Sequence, residues 1–312
     1  MKAVILAAGK GTRMRPLTND TPKPLLPVAD KSIIEHNIDL IEDEVDEIII
    51  VAGYMIEEFE KKFEGRENIV IVEQEEALGT SHAALQAKEF IDSKTVIMNG
   101  DDIYGEKALE ALEKDSAVLA SRVDDPEKFG VFELKDGKIT GMIEKPNNPP
   151  SDLVNIGFYV VQPEFFDLLE NVEKSERGEY EITDAINEYL KTHKVDFVEA
   201  DKWLPCSYPF QLIEASKEVI NDIKSSKSAS IGENIDFRGK VMIGNNVEIK
   251  DNTVVCDAVI HENSVVDGDV KNAVILSGSE VKADIENTIV KKDSKVEASD
   301  KDEEVNIIGE RK

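Results

Sequence analysis

Residues 2–13 read KAVILAAGKGTR, six mostly apolar, β-branched-rich positions that run into Gly9 and Gly11 set among Lys10 and Arg13. An apolar run of that length ending at a glycine-rich turn has the pattern of a strand buried on both faces of a parallel sheet. The same texture returns at 47–52 (EIIIVA), 69–73 (IVIVE) and 95–99 (TVIMN). Helical stripes lie between them: 32–42 puts Ile33, Ile34, Asn37, Ile38 and Ile41 on one face, and 80–91 does so with Ala84, Leu85, Ala87 and Ile91. Strand and helix in alternation predict an α/β layered fold with right-handed crossovers. Ligands of such sheets sit beyond the carboxyl ends of the strands, here the segments starting near Ala8, Gly53, Gln74 and Gly100.

Composition bounds the reading. A chain of 312 residues with 41% hydrophobic residues can build a sizeable core and suggests two domains. With 65 acids against 37 basic residues the formal net charge is -28, so the surface as a whole repels nucleic acid and anionic membranes. Any bound phosphate must be met by a local basic site, which makes the cations of Leu6 to Val28 (LAAGKGTRMRPLTNDTPKPLLPV) informative. Cys206 and Cys256 give neither a disulfide framework nor a metal pair, and no run reaches the length of a membrane span. A soluble cytoplasmic protein with no nucleic-acid or membrane partner is expected.

The texture changes after Lys224. KSSKSAS is a small polar stretch, and beyond it SIGENI, DFRGKV, MIGNNV and EIKDNT place Ile231, Phe237, Ile243 and Ile249 six residues apart. DAVIHENSVV (257–266), NAVILSGSEV (272–281) and NTIVKKDSKV (287–296) then restart every fifteen residues. A fixed short period marks a β-solenoid whose coils bury apolar side chains on their neighbours. The expected organisation is a first domain over 1–224, a linker at 225–230, a solenoid over 231–299 and a frayed charged tail at 300–312.

AGKGTR can bring backbone N–H groups close to an anion and add the charges of Lys10 and Arg13, although a plain surface turn fits its spacing equally well. It is neither G-x-G-x-x-G nor the Walker pattern. Pro22, Pro24 and Pro27 hold Lys23 on a stiff loop, which a merely solvated lysine would not need. NGDDIY (99–104) puts two carboxylates at the end of an apolar strand, where like charges need a cation or solvent to coexist; a helix-capping pair is the alternative.

Together these segments resemble the sugar-phosphate nucleotidyltransferases, over residues 1 to about 220, and the repeats resemble hexapeptide left-handed β-helices. The resemblance implies a Rossmann-like domain with a mixed, mostly parallel sheet, a short left-handed β-helix, and an enzyme that joins UTP or dTTP to a hexose or N-acetylhexosamine 1-phosphate with release of pyrophosphate. It implies Ala8, Gly9, Gly11 and Arg13 around the triphosphate, Lys23 at the α-phosphate, and Gln74, Gly79 and Thr80 at the base. It further implies Mg²⁺ on Asp101, Lys145 on the sugar phosphate, and a sugar pocket of Asp102, Gly130, Glu144, Asn155, Gly157 and Tyr159. QEEALGTSHA (74–83) is most similar to uridylyltransferases for N-acetylglucosamine 1-phosphate, while His82 itself reads as packed or solvent-facing. A homo-oligomer assembled through the β-helix is also implied.

One position departs from the family pattern. In DKWLPCSYPF (201–210) Pro205 stands where the second metal ligand is expected, leaving Asp201 and Glu214 as the nearest carboxylates. Asp201 could substitute, water could complete the shell of Mg²⁺, or the chain could be a catalytically impaired, sugar-nucleotide-binding regulatory subunit. Acetyl transfer by the solenoid with His261 as base is a third reading, carried by little more than the repeat and one histidine.

Overall fold

The computed structural model describes residues 1–175 and 178–309. Two compact units separate in it: one comprises Met1–Lys10, Thr21–Leu25 and Ile34–Leu204, the other Gly11–Asp20, Leu26–Ile33 and the chain from Pro205 onward.

The first unit is built on a nine-stranded mixed sheet. Lys2–Ala7 lies at its centre and pairs in parallel with Glu47–Ala52 on one side and Thr95–Asn99 on the other, and Ile69–Glu73 continues the parallel set. These four bounds coincide with the apolar runs of the sequence. Leu153–Val161 then joins Thr95–Asn99 antiparallel and carries Gly130–Lys135 and Ala117–Arg122. Two apolar layers cover the sheet because its strands bury both faces. Ala3, Ile5, Ile48 and Ile50 point into one cluster with Ile34, Ile38 and Phe59, and Val4, Ile49 and Val51 into another with Tyr159, Phe165 and Tyr189. Each fully buried side chain of this size contributes about 1.5–3 kcal/mol of transfer free energy.

The helical stripe of 32–42 folds as Ile33–Ile41. The stripe of 80–91 does not form one helix: Thr80–Leu85 is α-helical and Lys88–Phe90 a separate 3₁₀ turn. Gln86 and Ala87 donate their N–H groups three residues back, to Ala83 and Ala84 at 3.1 Å each, and the Gln86 side chain takes the His82 carbonyl at 2.9 Å. With that carbonyl satisfied from the side, the last turn tightens and the helix stops.

In the second unit the repeats form two parallel ladders, the arrangement of a left-handed β-helix. Ile231 faces Ile249, Ile249 faces Val266, Val266 faces Val281 and Val281 faces Val296, so the coils shorten from eighteen residues to fifteen. Val241, Ile243, Ile249, Ile260, Val266, Ile275, Val281 and Val290 fill the interior. Asparagines turn the corners in the left-handed region, with φ of 53° at Asn246, 59° at Asn263, 45° at Asn272 and 52° at Asn287. Their amides stack, Asn246 donating to Asn263 at 3.1 Å and Asn272 to Asn287 at 2.6 Å. Asn tolerates this backbone region better than most residues, and neighbouring coils satisfy its side chain.

Two expectations at the solenoid ends need correction. The polar stretch read as a linker already holds strands: Lys224–Ser225 and Ser230–Ile231 pair with the next coil. The stretch read as a frayed tail contains the strand Asp300–Ile308, with Ile307 opposite Ile289 and Ile308 packed against the core. Residues 310–312 of that stretch lie outside the described residues. Parallel pairing supplies backbone hydrogen bonds regardless of side-chain charge, which composition does not register.

Candidate active site

Within the first unit, Ala8, Gln74 and Asp101 lie just past the carboxyl ends of the parallel strands Lys2–Ala7, Ile69–Glu73 and Thr95–Asn99. Gly100 follows Thr95–Asn99 and donates to the Leu6 carbonyl at 2.9 Å, and a Cβ there would stand 3.0 Å from that oxygen. The close pass needs glycine, and it delivers Asp101 and Asp102 past the sheet edge. Lys23, only 5% exposed, forms an ion pair with Asp101, whose side chain is 38% exposed. The lysine sits on the 3₁₀ turn Lys23–Leu25, closed by Leu25 N–H to Pro22 O at 2.9 Å, so the proline frame does hold it.

Asp102 is buried, and burial together with the charge of Asp101 raises its pKa to about 7, against the opposing pull of Lys23. Two side chains not singled out for chemistry in the sequence fix this turn. Asn37 Nδ2 donates to the carbonyls of Asp102 at 2.7 Å and Asn99 at 3.3 Å. The Tyr104 hydroxyl donates to the carbonyls of Ile156 at 2.9 Å and Gly157 at 3.1 Å. An asparagine on an otherwise apolar helix stripe was the signal available for the first.

The residues expected around the sugar share another part of the unit. Asn155 Nδ2 donates to the Tyr159 hydroxyl at 2.7 Å, and Asn155 Oδ1 accepts from Gly157 N–H at 3.0 Å. Burial holds the Tyr159 phenol well above its ordinary pKa, so it stays protonated. Thr183 Oγ1 donates to Glu144 Oε2 at 3.2 Å, and a Cβ on Gly130 would meet that carboxylate at 3.0 Å. Lys145 is half-exposed at φ 44°, its ammonium 3.6 Å from Glu144. These side chains offer a cation, a carboxylate and an amide, packed closely around Gly130.

At the end of Ile69–Glu73, Gln74 is 5% exposed; its Nε2 lies 3.2 Å from Gly79 O and 2.9 Å from His82 Nδ1. Gly79 adopts φ 119°, and a Cβ there would stand 2.4 Å from the carbonyl oxygen of Tyr180. Tyr180 N–H donates to Leu78 O at 2.8 Å, Ser81 N–H to Tyr180 O at 2.9 Å, and Ile182 N–H to Thr80 Oγ1 at 3.1 Å. The segment GEYEITDAI (178–186) thus clamps the loop of Gln74, Gly79 and Thr80.

In the second unit, Gly11 takes the left-handed conformation at φ 57° and its carbonyl accepts from Thr18 Oγ1 at 2.9 Å. Arg13 lies on the turn Thr12–Met14 with its guanidinium 5.2 Å from the centre of the Tyr208 ring. Ala8 and Gly9 directly follow the first strand, and among the described residues nothing lies within 4 Å of a Cβ built on Gly9.

A divalent cation fits this donor set in a particular way. Among the described residues no three acidic, His or Cys side chains converge, so the chain does not form a cage by itself. The Asp101 carboxylate, which still reaches solvent, offers oxygen suited to a hard cation that keeps water and phosphate oxygens in its shell. Asp201 Oδ1 accepts from Lys107 N–H at 3.0 Å, at the start of the helix Lys107–Leu112. Glu214 is exposed on the helix Pro209–Val219. Among the described residues no helix is long and apolar enough to cross a membrane.

Residues 2–222 match the family model described as nucleotidyl transferase. The chain is 40% identical over 257 residues to the bifunctional protein GlmU of Methanococcus maripaludis, covering 81% of this chain and 62% of that one, so it spans less than two thirds of that relative. It is 34% identical to the low-salt glycan biosynthesis nucleotidyltransferase Agl11 of Haloferax volcanii, over 77% of this chain and 72% of the relative. A crystal structure from Bacillus anthracis, assigned as a glucose-1-phosphate thymidylyltransferase, superposes with a TM-score of 0.65 at 29% identity, covering 71% of this chain and 97% of the other.

Proposed function

The chain belongs to the nucleotidyl transferase family, and from that premise we propose that it forms a UDP- or dTDP-sugar and pyrophosphate from UTP or dTTP and a hexose or N-acetylhexosamine 1-phosphate. The observation that carries this reading is the buried Lys23 paired with Asp101 beyond the carboxyl ends of the parallel strands. A phosphate oxygen of the sugar 1-phosphate attacks the α-phosphorus in line, the new P–O bond forms as the bond to the β-phosphate oxygen breaks, and no covalent enzyme intermediate is required.

Both reactants are anions, so positioning and neutralisation are the protein's contribution. Lys23 and Arg13 meet the nucleotide phosphates, with the backbone of Ala8, Gly9 and Gly11 offering N–H groups. Lys145 holds the sugar phosphate, and Asp102, Gly130, Glu144, Asn155 and Tyr159 contact the sugar. Gln74, Gly79 and Thr80 read the base. Asp101 would hold Mg²⁺, which supplies charge neutralisation across the phosphates when bound. We further propose a cytoplasmic enzyme that assembles as a homo-oligomer through the β-helix, built of a catalytic domain and a solenoid.

The test is pyrophosphate release with Mg²⁺ from a grid of UTP, dTTP, CTP, ATP and GTP against glucose, glucosamine, N-acetylglucosamine and galactose 1-phosphates. Turnover with UTP or dTTP that a chelator abolishes is the expected result. Pro205, which has no side-chain ligand, favours a second reading as a regulatory subunit, and binding of a UDP-sugar without turnover in any pairing would select it.

A further inference from the structure

We propose that His82 is a positioning residue that decides which nucleobases Gln74 accepts; this deepens the reading of the loop as a nucleotide site and rests on it. The argument begins at Gly79. Its carbonyl oxygen lies 3.2 Å from one terminal atom of the Gln74 amide, and two oxygens would repel there, so that atom is the nitrogen. The same nitrogen lies 2.9 Å from His82 Nδ1, which must then accept. The geometry thus places the imidazole proton on Nε2. Gln86 Nε2, at 3.4 Å from that second ring nitrogen, faces it donor to donor and forms no hydrogen bond; it donates instead to the His82 carbonyl at 2.9 Å. The imidazole is also stacked on Tyr180, with centroids 6.3 Å apart and planes inclined by 29°.

Both N–H groups of the Gln74 amide are thereby engaged, and its backbone is tied down by N–H to Ala52 O at 2.7 Å. Among the described residues no donor reaches Oε1, so an acceptor is what the side chain has left to offer a ligand. An acceptor in that place pairs with a base that carries a ring N–H: uracil or thymine at N3, guanine at N1. It repels the ring lone pair of cytosine N3 and adenine N1. A reversed amide would present N–H and invert that preference. Gly79 opposes the reversal through one longer contact, and His82 adds the shorter one. The class of substrate assigned is a nucleoside triphosphate with a protonated ring nitrogen, and His82 keeps the selection strict.

The measurement is the ratio of kcat/KM for UTP over CTP in the wild type, His82→Asn and His82→Leu. Asn places an acceptor oxygen about where Nδ1 stands, and Leu removes it. The expected result is a ratio within about twofold of wild type for His82→Asn, and one lowered on the order of tenfold for His82→Leu. An unaltered ratio in His82→Leu, or an equal loss in both variants, would overturn the proposal. Wild-type protein given 3-methyluridine triphosphate, which lacks the N3 proton, should discriminate against it, and acceptance equal to UTP overturns the assignment whether or not a variant folds. If no pairing yields pyrophosphate, the proposed reaction fails; calorimetric binding of UTP against CTP and 3-methyluridine triphosphate then reads this proposal separately. Tighter binding of UTP supports it, and equal binding or none overturns it.

Discussion

Lys23 and Asp101, 78 residues apart in sequence, meet as an ion pair in which the lysine is almost wholly buried and the carboxylate still reaches solvent. The burial fixes the ammonium in one place, and the partial exposure of the acid leaves it able to share its charge with an incoming cation or phosphate.

Replacing Lys23 with Met should lower kcat for pyrophosphate release about 10²–10³-fold, with a smaller change in KM, because a fixed charge beside a transferring phosphoryl group acts mainly in the transition state. Lys23→Arg should not restore it, since the planar guanidinium does not fit a slot shaped for a point charge. Turnover near wild type in Lys23→Met would remove the residue from the reaction.

Asp102 predicts a pH dependence of stability. Its folded-state pKa of about 7 lies above the ordinary carboxylate value because the group is buried beside Asp101. A carboxyl raised in the folded state favours folding fully below about pH 4, and that stability is lost as pH rises through about 7. In metal-free protein, Tm should therefore fall more steeply between pH 4 and 8 in the wild type than in Asp102→Asn. Saturating Mg²⁺ should shrink the difference by favouring the ionised form. Parallel curves for the two proteins would contradict the assignment.

Gly79→Ala should impair nucleotide binding. Its φ of 119° is poorly accessible to alanine, and the added carbon would meet the Tyr180 carbonyl at 2.4 Å, so the clamp on the Gln74 loop must open. A rise of tenfold or more in KM for the nucleotide is expected, with KM for the sugar 1-phosphate little affected; equal effects on both would point to general unfolding instead.

In the solenoid, Asn272 at φ 45° donates to Asn287 and accepts from Lys217 Nζ at 2.9 Å. Asn272→Ala loses both bonds and strains the corner, at about 1–3 kcal/mol in urea unfolding. Asn272→Gly loses the bonds but relieves the strain, so it should be the milder of the two. The reverse order would show that backbone conformation is not what selects asparagine there.

The local content of this fold was readable. Three buried strands announce themselves because both faces are apolar, the half-buried edge strand Ile69–Glu73 shares their texture, and the six- and fifteen-residue spacings mark coils because each repeat packs on the next. The long-range relations were not. Nothing near Gly79 says that Tyr180 will lie against it, and nothing in DKWLP says that Asp201 will accept from the first turn of a helix 94 residues earlier in the chain. Site residues carried by motif were nameable, while the supports Asn37, Tyr104 and His82 came from tertiary packing. His82 reads as packed or solvent-facing rather than catalytic, and it packs on Tyr180 with Nδ1 at hydrogen-bonding distance from Gln74.

The uneven coils carry a different lesson. Gly239 and Lys240 bulge opposite the single residue Asp257, and two more residues drop out by the pairing of Val255 with Val270, yet the ladders on either side continue in step. Length changes are thus absorbed at corners and do not propagate from one rung to the next. Such a rod can gain or lose residues, or a whole rung, without redesigning its interior, so the solenoid offers evolution a ruler that can be lengthened by small insertions.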